Sequence, residues 1–158
     1  MHMTSSVVVK SDLESAWTFL ADERNAPRWD RSVARADLVS ERPLRVGAIV
    51  RTTAPSGMEQ EFRVDEISAP HRLGFSLVRS SWFRTAQLTF TLAPVENAVR
   101  ITHEIAVTFR FPWTLLMPVL ALLSRRALSA DLDSLRRAIN EGHDLTMRNE
   151  SEGGKRQT

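Results

Sequence analysis

The chain has neither cysteine nor tyrosine among its 158 residues. Without cysteine it can form no disulfide, no thiolate metal site and no cysteine nucleophile. Without tyrosine it lacks one common catalytic acid and oxyanion donor. These absences also explain the isoelectric point of about 9.9. Little titrates between histidine and lysine, so a net charge of only +2 is enough to produce that value.

Clusters of like charge are also missing. The 21 basic residues, almost all arginine, are interspersed with 19 acidic ones, which is typical of a solvated surface and predicts no nucleic-acid partner. The four histidines lie in separate segments without metal-ligand spacing, and no glycine-rich phosphate loop or nucleophile elbow is present. We therefore expect neither a metal nor another cofactor.

No apolar run is long enough for a membrane span. The longest, Phe111–Leu123, has thirteen residues and two prolines, whereas a span needs about 20. Met1–Lys10 lacks the apolar core of a signal peptide, so we expect a cytoplasmic protein. Peripheral membrane contact through the apolar run is an alternative. Residues 149–158 lack apolar side chains and are expected to be a disordered tail after a single domain over residues 1–148.

Alternation of apolar and polar residues dominates the middle of the chain and predicts strands with one buried face. Short turns rich in proline and glycine separate these strands, which predicts an antiparallel meander. The predicted strands are Thr4–Lys10, Ser32–Val39, Ala48–Thr53, Met58–Ile67, Arg72–Val78, Trp82–Leu92 and Ala98–Phe109.

Helical patterns occur at three places. Ser11 or Asp12 is predicted to cap a first helix, and Asp22–Trp29 is predicted to form a second short helix or turn. A long helix follows the last strand, because Leu128, Leu132, Leu135 and Ile139 recur at spacings of four, three and four. The expected fold is α+β: a seven-stranded antiparallel curved sheet wrapped around this helix, with two short helices between strands one and two.

The segment Lys10–Val33, KSDLESAWTFLADERNAPRWDRSV, resembles the opening of the helix-grip (SRPBCC) superfamily. That superfamily includes START domains, Bet v 1-type plant allergens and polyketide cyclase/dehydrase-like bacterial proteins. A capped helix there leads to a turn whose positions match Asp22, Asn25, Pro27 and Trp29. The segment LSADLDSLRRAIN is similar to the family's terminal helix. The resemblance implies a helix-grip fold over most of the chain, which serves binders, carriers, cyclases and regulators alike.

His103 is the most suggestive polar residue, because it lies mid-strand on the apolar face between Ile101 and Ile105. It would either orient a ligand or act as an acid or base, or else be a core histidine with its hydrogen bonds satisfied. Arg84 would face inward if the alternation extends back to Trp82, and would face solvent if a bulge interrupts the strand near Ser80.

Other polar residues are less distinctive. Gln60 and Glu66 share the parity of a buried strand face, and either is a possible internal partner. Asp131 and Asp133 are interpreted as surface charges on the last helix. Of the four tryptophans, we expect Trp17 and Trp29 in the core, and either Trp82 or Trp113 near a cavity mouth.

Our leading hypothesis is a protein that binds a hydrophobic small molecule, such as a lipid, polyketide or isoprenoid, between the sheet and the last helix. The expected lining is Phe62, Val64, Phe75, Leu77, Trp82, Arg84, His103, Ile105, Val107, Leu116, Leu120 and Leu123. One alternative, implied by the family, is a polyketide cyclase/dehydratase that uses His103 as acid or base, with Arg84 polarising a carbonyl. A second is a protein- or membrane-interaction module with a collapsed pocket.

Overall fold

The computed structural model describes residues 1–110 and 127–141. Seven strands and three helices make up this part of the chain. The strands are β1 (His2–Val9), β2 (Arg35–Leu38), β3 (Ile49–Thr53), β4 (Glu59–Ser68), β5 (Arg72–Arg79), β6 (Phe83–Val95) and β7 (Ala98–Phe109). The helices are α1 (Leu13–Ala21), α2 (Ala26–Trp29) and α3, the helical residues 127–141; a 3-10 turn, Glu23–Asn25, precedes α2.

All seven strands form one antiparallel sheet in the order β1-β7-β6-β5-β4-β3-β2. Consecutive strands are neighbours from β2 to β7, and β1 closes against β7, which confirms the predicted helix-grip architecture. β2 is shorter than predicted and starts at Arg35 instead of Ser32. The reason is local: the Asp30 carboxylate accepts hydrogen bonds from Ser32 and holds that segment as a turn.

Helix α1 begins, and the described part of α3 packs, as their sequence patterns predict. Asp12, not Ser11, caps α1, because its side chain accepts a hydrogen bond from the Ser15 amide at 2.8 Å. The apolar stripe of α3, predicted from Leu128 to Ile139, is buried in the core. The far end of α3 is tied to the end of β1, where the Lys10 amide donates to Asn140 Oδ1 at 2.9 Å.

Most of the buried apolar residues form two clusters. In the first cluster, α1 and α3 pack against the strands. Leu135 contributes from α3, and Leu92 and Ile101 contribute from the strands. The second is smaller and consists of Phe62, Ala86, Val107 and Phe109. The candidate site lies between these two clusters.

Several predictions fall outside the described residues. They concern the apolar segment with Trp113, Leu116, Leu120 and Leu123, and the terminal tail. In the described part, no helix combines the length and the hydropathy needed to cross a bilayer.

Candidate functional site

A cavity of about 440 Å³ lies between the concave face of the sheet and α3. Members of both core clusters line it, including Trp29 and Phe90 from the first cluster and Phe62 and Val107 from the second. Leu128 contributes from α3. The volume falls within the roughly 300–1,000 Å³ of typical small-molecule sites, which are also mostly apolar.

His103 lies on the cavity wall at the centre of β7 and is only 4% exposed. Its ring stacks on Phe90, with centroids 4.0 Å apart and an interplanar angle of 15°, and Trp29 meets it edge-on at 6.3 Å. Neither ring nitrogen has a hydrogen-bond partner in the described part of the chain. His103 is therefore buried, and the described residues do not satisfy its hydrogen bonds, unlike those of the core histidine considered as an alternative.

Burial also determines the protonation state of His103. Because the charged imidazolium would lose its hydration, the pKa of His103 falls from its ordinary 6.5 to about 3. The ring is neutral at physiological pH and is a weak base. An efficient general acid or base has a pKa near the working pH, so His103 is poorly matched to that task.

The polar end of the cavity is acidic. Four carboxylates line it: Asp22 and Glu23 from the start of the 3-10 turn, Asp30 from the end of α2, and Asp131 from α3. No lysine or arginine side chain lines the cavity within residues 1–110 and 127–141. This part of the wall therefore carries negative charge, whereas the rest of the lining is mostly apolar.

The charge of Asp30, at the end of α2, acts on Asp131 of α3. Asp30 accepts hydrogen bonds from the amide and hydroxyl of Ser32 at 2.8 and 2.6 Å, while burial raises its pKa. Burial and the charge of Asp30 raise the pKa of Asp131 to about 6. Arg31 opposes this only weakly, through its backbone amide at 3.4 Å and its charge.

Glu23 lines the same cavity, and its side chain is only 5% exposed. Its Oε1 accepts a hydrogen bond from the Arg42 guanidinium. Its Oε2 has no partner among the described residues. Asp22 differs, because Arg24 binds it through two nitrogens and lowers its pKa.

The structure brings together part of the predicted lining. Six of the predicted residues line the cavity: Phe62, Phe75, Trp82, His103, Ile105 and Val107. Val64 is fully buried in the first cluster, and Leu77 packs at the edge of the second, so neither lines it. Leu116, Leu120 and Leu123 lie outside the described residues.

The inward placement of Arg84 is wrong. A register shift between Phe83 and Thr85 rotates the strand, and Arg84 is exposed to solvent. Of the two other polar candidates, Gln60 lines the cavity, whereas Glu66 pairs with Arg72 at 2.8 Å on the outer surface.

The interpretation of Asp131 as a surface charge is also wrong, since this residue is half-buried on the cavity wall. The sequence did contain the signal. Asp131 is three residues after Leu128 and four before Leu135, so it shares their helix face. Asp133 lies off that face and is exposed, where it pairs with Arg136 at 3.2 Å.

No group of three histidine, aspartate or glutamate side chains in the described part is arranged to hold a metal ion. The cavity can instead enclose an organic molecule, with apolar contacts along most of its wall and carboxylates at one end.

Several solved structures share the fold of this chain. A START superfamily protein from Mycobacterium smegmatis superposes with a TM-score of 0.76 at 13% identity, over 89% of this chain and 97% of the other. A protein from Thermus thermophilus gives 0.72 at 13% identity, over 88% and 97%. DynU16, from the dynemicin biosynthetic locus, gives 0.67 at 17% identity, over 89% of this chain and 48% of its own.

At these identities the structural matches establish the fold alone, and no curated protein matches the sequence. The sequence itself matches one family model over residues 1–140, nearly the whole described region. The chain therefore belongs to the family described as polyketide cyclase / dehydrase and lipid transport.

Proposed function

We propose that this protein binds a hydrophobic small molecule in the cavity between the sheet and α3. The observation that carries the proposal is the cavity of about 440 Å³, whose wall is largely apolar. Burial of about 300 Å² of apolar ligand surface is worth on the order of 7 kcal/mol, before the cost of association.

The cavity counts against the collapsed-pocket alternative, because an interaction module of that kind requires a filled interior. Of the two polar groups expected to orient the ligand, only His103 lines the cavity. Arg84 is exposed and cannot contribute, whereas His103 and the carboxylates at the acidic end line the space.

The first test is native mass spectrometry of the purified protein, followed by denaturing extraction of any bound molecule. A co-purifying apolar compound supports the proposal and identifies its chemical class. If the protein is free of ligand, 1-decanol is titrated against it while tryptophan fluorescence is recorded, since Trp29 and Trp82 both line the cavity. If no ligand co-purifies and decanol does not bind, the proposal is contradicted.

A cavity-filling variant makes this test specific. Ala86 is 4% exposed and lines the cavity from β6, so Ala86→Phe places a ring in the ligand's space. Ala93→Phe on the same strand is the matched control, because Ala93 is exposed. Decanol binding should be lost in the first variant and kept in the second, with circular dichroism confirming that both fold. Equal binding by the two variants would place the decanol elsewhere.

A cyclase or dehydratase is the second candidate, and the observation that favours it is an ionisable carboxyl pair on the cavity wall. Asp131, with its pKa raised to about 6, is a better acid–base group near neutral pH than His103. Turnover of a linear poly-β-ketone should then persist in His103→Ala and fall in Asp131→Asn. Lack of turnover by the unmodified protein removes this candidate.

A further inference from the structure

The acidic end of the cavity differs from the rest of its wall in both charge and pairing. Two of its carboxylates are neutralised by arginines, Asp22 by Arg24 and Glu23 by Arg42. Asp30 and Asp131 form no ion pair within the described residues, although both line the cavity. Two carboxylates on neighbouring elements therefore line the cavity without an ion-pair partner among the described residues.

A second, independent feature of the same cavity indicates a missing partner. His103 is 4% exposed, and neither of its nitrogens is hydrogen-bonded within the described part of the chain. Glu23 has a side chain that is 5% exposed, and its Oε2 atom also has no hydrogen-bond partner among the described residues. Buried polar atoms without partners are costly, and such atoms recur where a ligand or an ordered molecule completes the site.

The chemistry of this end selects between ligand types. A carboxylate or phosphate would be repelled by Asp30 and Asp131, and no lysine or arginine side chain among the described lining residues offsets that charge. A metal ion lacks a group of three ligands in the described region. A protonated amine supplies both the positive charge and several N–H donors to the two carboxylates.

We infer that the ligand is a cationic amphiphile whose protonated amine binds between Asp30 and Asp131, with its apolar part in the remainder of the cavity. This inference rests on the proposed function, since it requires that the cavity binds a hydrophobic molecule. The acidic end of the cavity is then the site of the ligand's headgroup. The apolar wall alone does not specify this class of ligand.

Three probes of equal chain length test the inference: decylamine, 1-decanol and decanoate, titrated by calorimetry at pH 7.5 below their aggregation concentrations. Decylamine should bind about tenfold more tightly than decanol, in line with a hydrogen bond to a charged group, and decanoate should bind most weakly. Decanol or decanoate binding as tightly as decylamine overturns the inference but leaves the proposed function standing. Binding by none of the three overturns both.

Asp131→Asn removes the charge with little change in shape, and Asp133→Asn on the exposed face of α3 is its matched control. The first variant should bind decylamine about tenfold more weakly and decanol unchanged, whereas the control should alter neither. The decanol arm also verifies that the variant is folded. Equal effects of Asp131→Asn on both probes, or no effect on either, contradict the inference.

The pH dependence of binding gives a readout of the same contact. The charged groups that act on Asp131 are Asp30 and Arg31, and the carboxylates of Glu23 and Asp22 line the same cavity. A bound ammonium favours the ionised carboxylate, so decylamine affinity should decline as the pH is lowered from 7.5 to 5. Decanol affinity should not follow this course. A flat decylamine profile overturns the placement of the amine at Asp131.

Discussion

The imidazole of His103 lies parallel to the ring of Phe90, 4.0 Å away and at 15°, on adjacent strands in direct register. The contact places a polar ring in an aromatic environment that includes the edge of Trp29. Neutral imidazole tolerates this environment, whereas imidazolium would lose its hydration without gaining a partner. His103 is therefore held in its neutral form by its neighbours.

We predict that His103 makes the folded state sensitive to acid. Its pKa is about 3 in the folded protein and 6.5 in the unfolded chain, so the unfolded state binds the proton more readily. The free energy of unfolding should be at its full value above pH 6.5 and decrease as the pH falls from 6.5 towards 3, by on the order of a few kcal/mol. Urea titrations at several pH values measure this slope.

The variant His103→Leu cannot take up this proton, so its unfolding free energy should depend less on pH below 6.5. His2→Gln serves as the control, because His2 is exposed on β1 and should leave the slope unchanged. If the slopes of the unmodified protein and His103→Leu coincide, acid sensitivity originates elsewhere in the chain.

The sequence predicted the sheet well because each strand carries its own alternation and each turn its own chemistry. The strand Ala98–Phe109 was placed with its observed bounds. The error at β2 came from a side chain, since Asp30 binds Ser32 and delays the strand to Arg35. A contact of this kind is not part of an apolar-polar pattern.

Prediction of the cavity was less complete, because alternation identifies the buried face but not the empty part of it. Val64 and Phe62 share a face, yet only Phe62 lines the cavity, since Val64 is covered by the first cluster. The prediction for Arg84 was wrong because a register shift between Phe83 and Thr85 interrupts the alternation of the strand at this residue. The acidic end depends on α2 and α3 meeting in space, which no local pattern records.

Asp131 should destabilise the folded protein at neutral pH. Its pKa is raised from 3.8 to about 6, so the folded state prefers the protonated form. The unfolding free energy contributed by this group should therefore decrease as the pH rises from about 4 to 6. Asp131→Asn should raise the melting temperature of the ligand-free protein at pH 7.5 and change it little at pH 4.

Asp133→Asn is the control for this measurement, since Asp133 is exposed and pairs with Arg136 on the outer face. That variant should shift the melting temperature little at either pH. A lower melting temperature for Asp131→Asn at pH 7.5 would mean that the Asp131 charge has a stabilising partner, contrary to its placement beside Asp30.

The Glu23–Arg42 pair should contribute more to stability than the exposed ion pairs of the protein. Glu23 is 5% exposed at its side chain, so Arg42→Ala leaves a buried carboxylate without a cation and should cost roughly 1–3 kcal/mol. Arg35→Ala breaks the exposed pair with Asp37 and should cost less than about 1 kcal/mol. Urea denaturation compares the two, and equal costs would contradict the burial of Glu23.

Two leucines of α3 distinguish the closed core from the cavity wall. Leu135 is fully buried in the first cluster, so Leu135→Ala should cost about 3–5 kcal/mol and leave a sealed void. Leu128 is also buried but borders the cavity, so Leu128→Ala enlarges existing space and should cost about 1–3 kcal/mol. Decanol affinity should change only in Leu128→Ala, because only that side chain would contact the ligand. A change confined to Leu135→Ala would instead mean that decanol enters the core beneath α3.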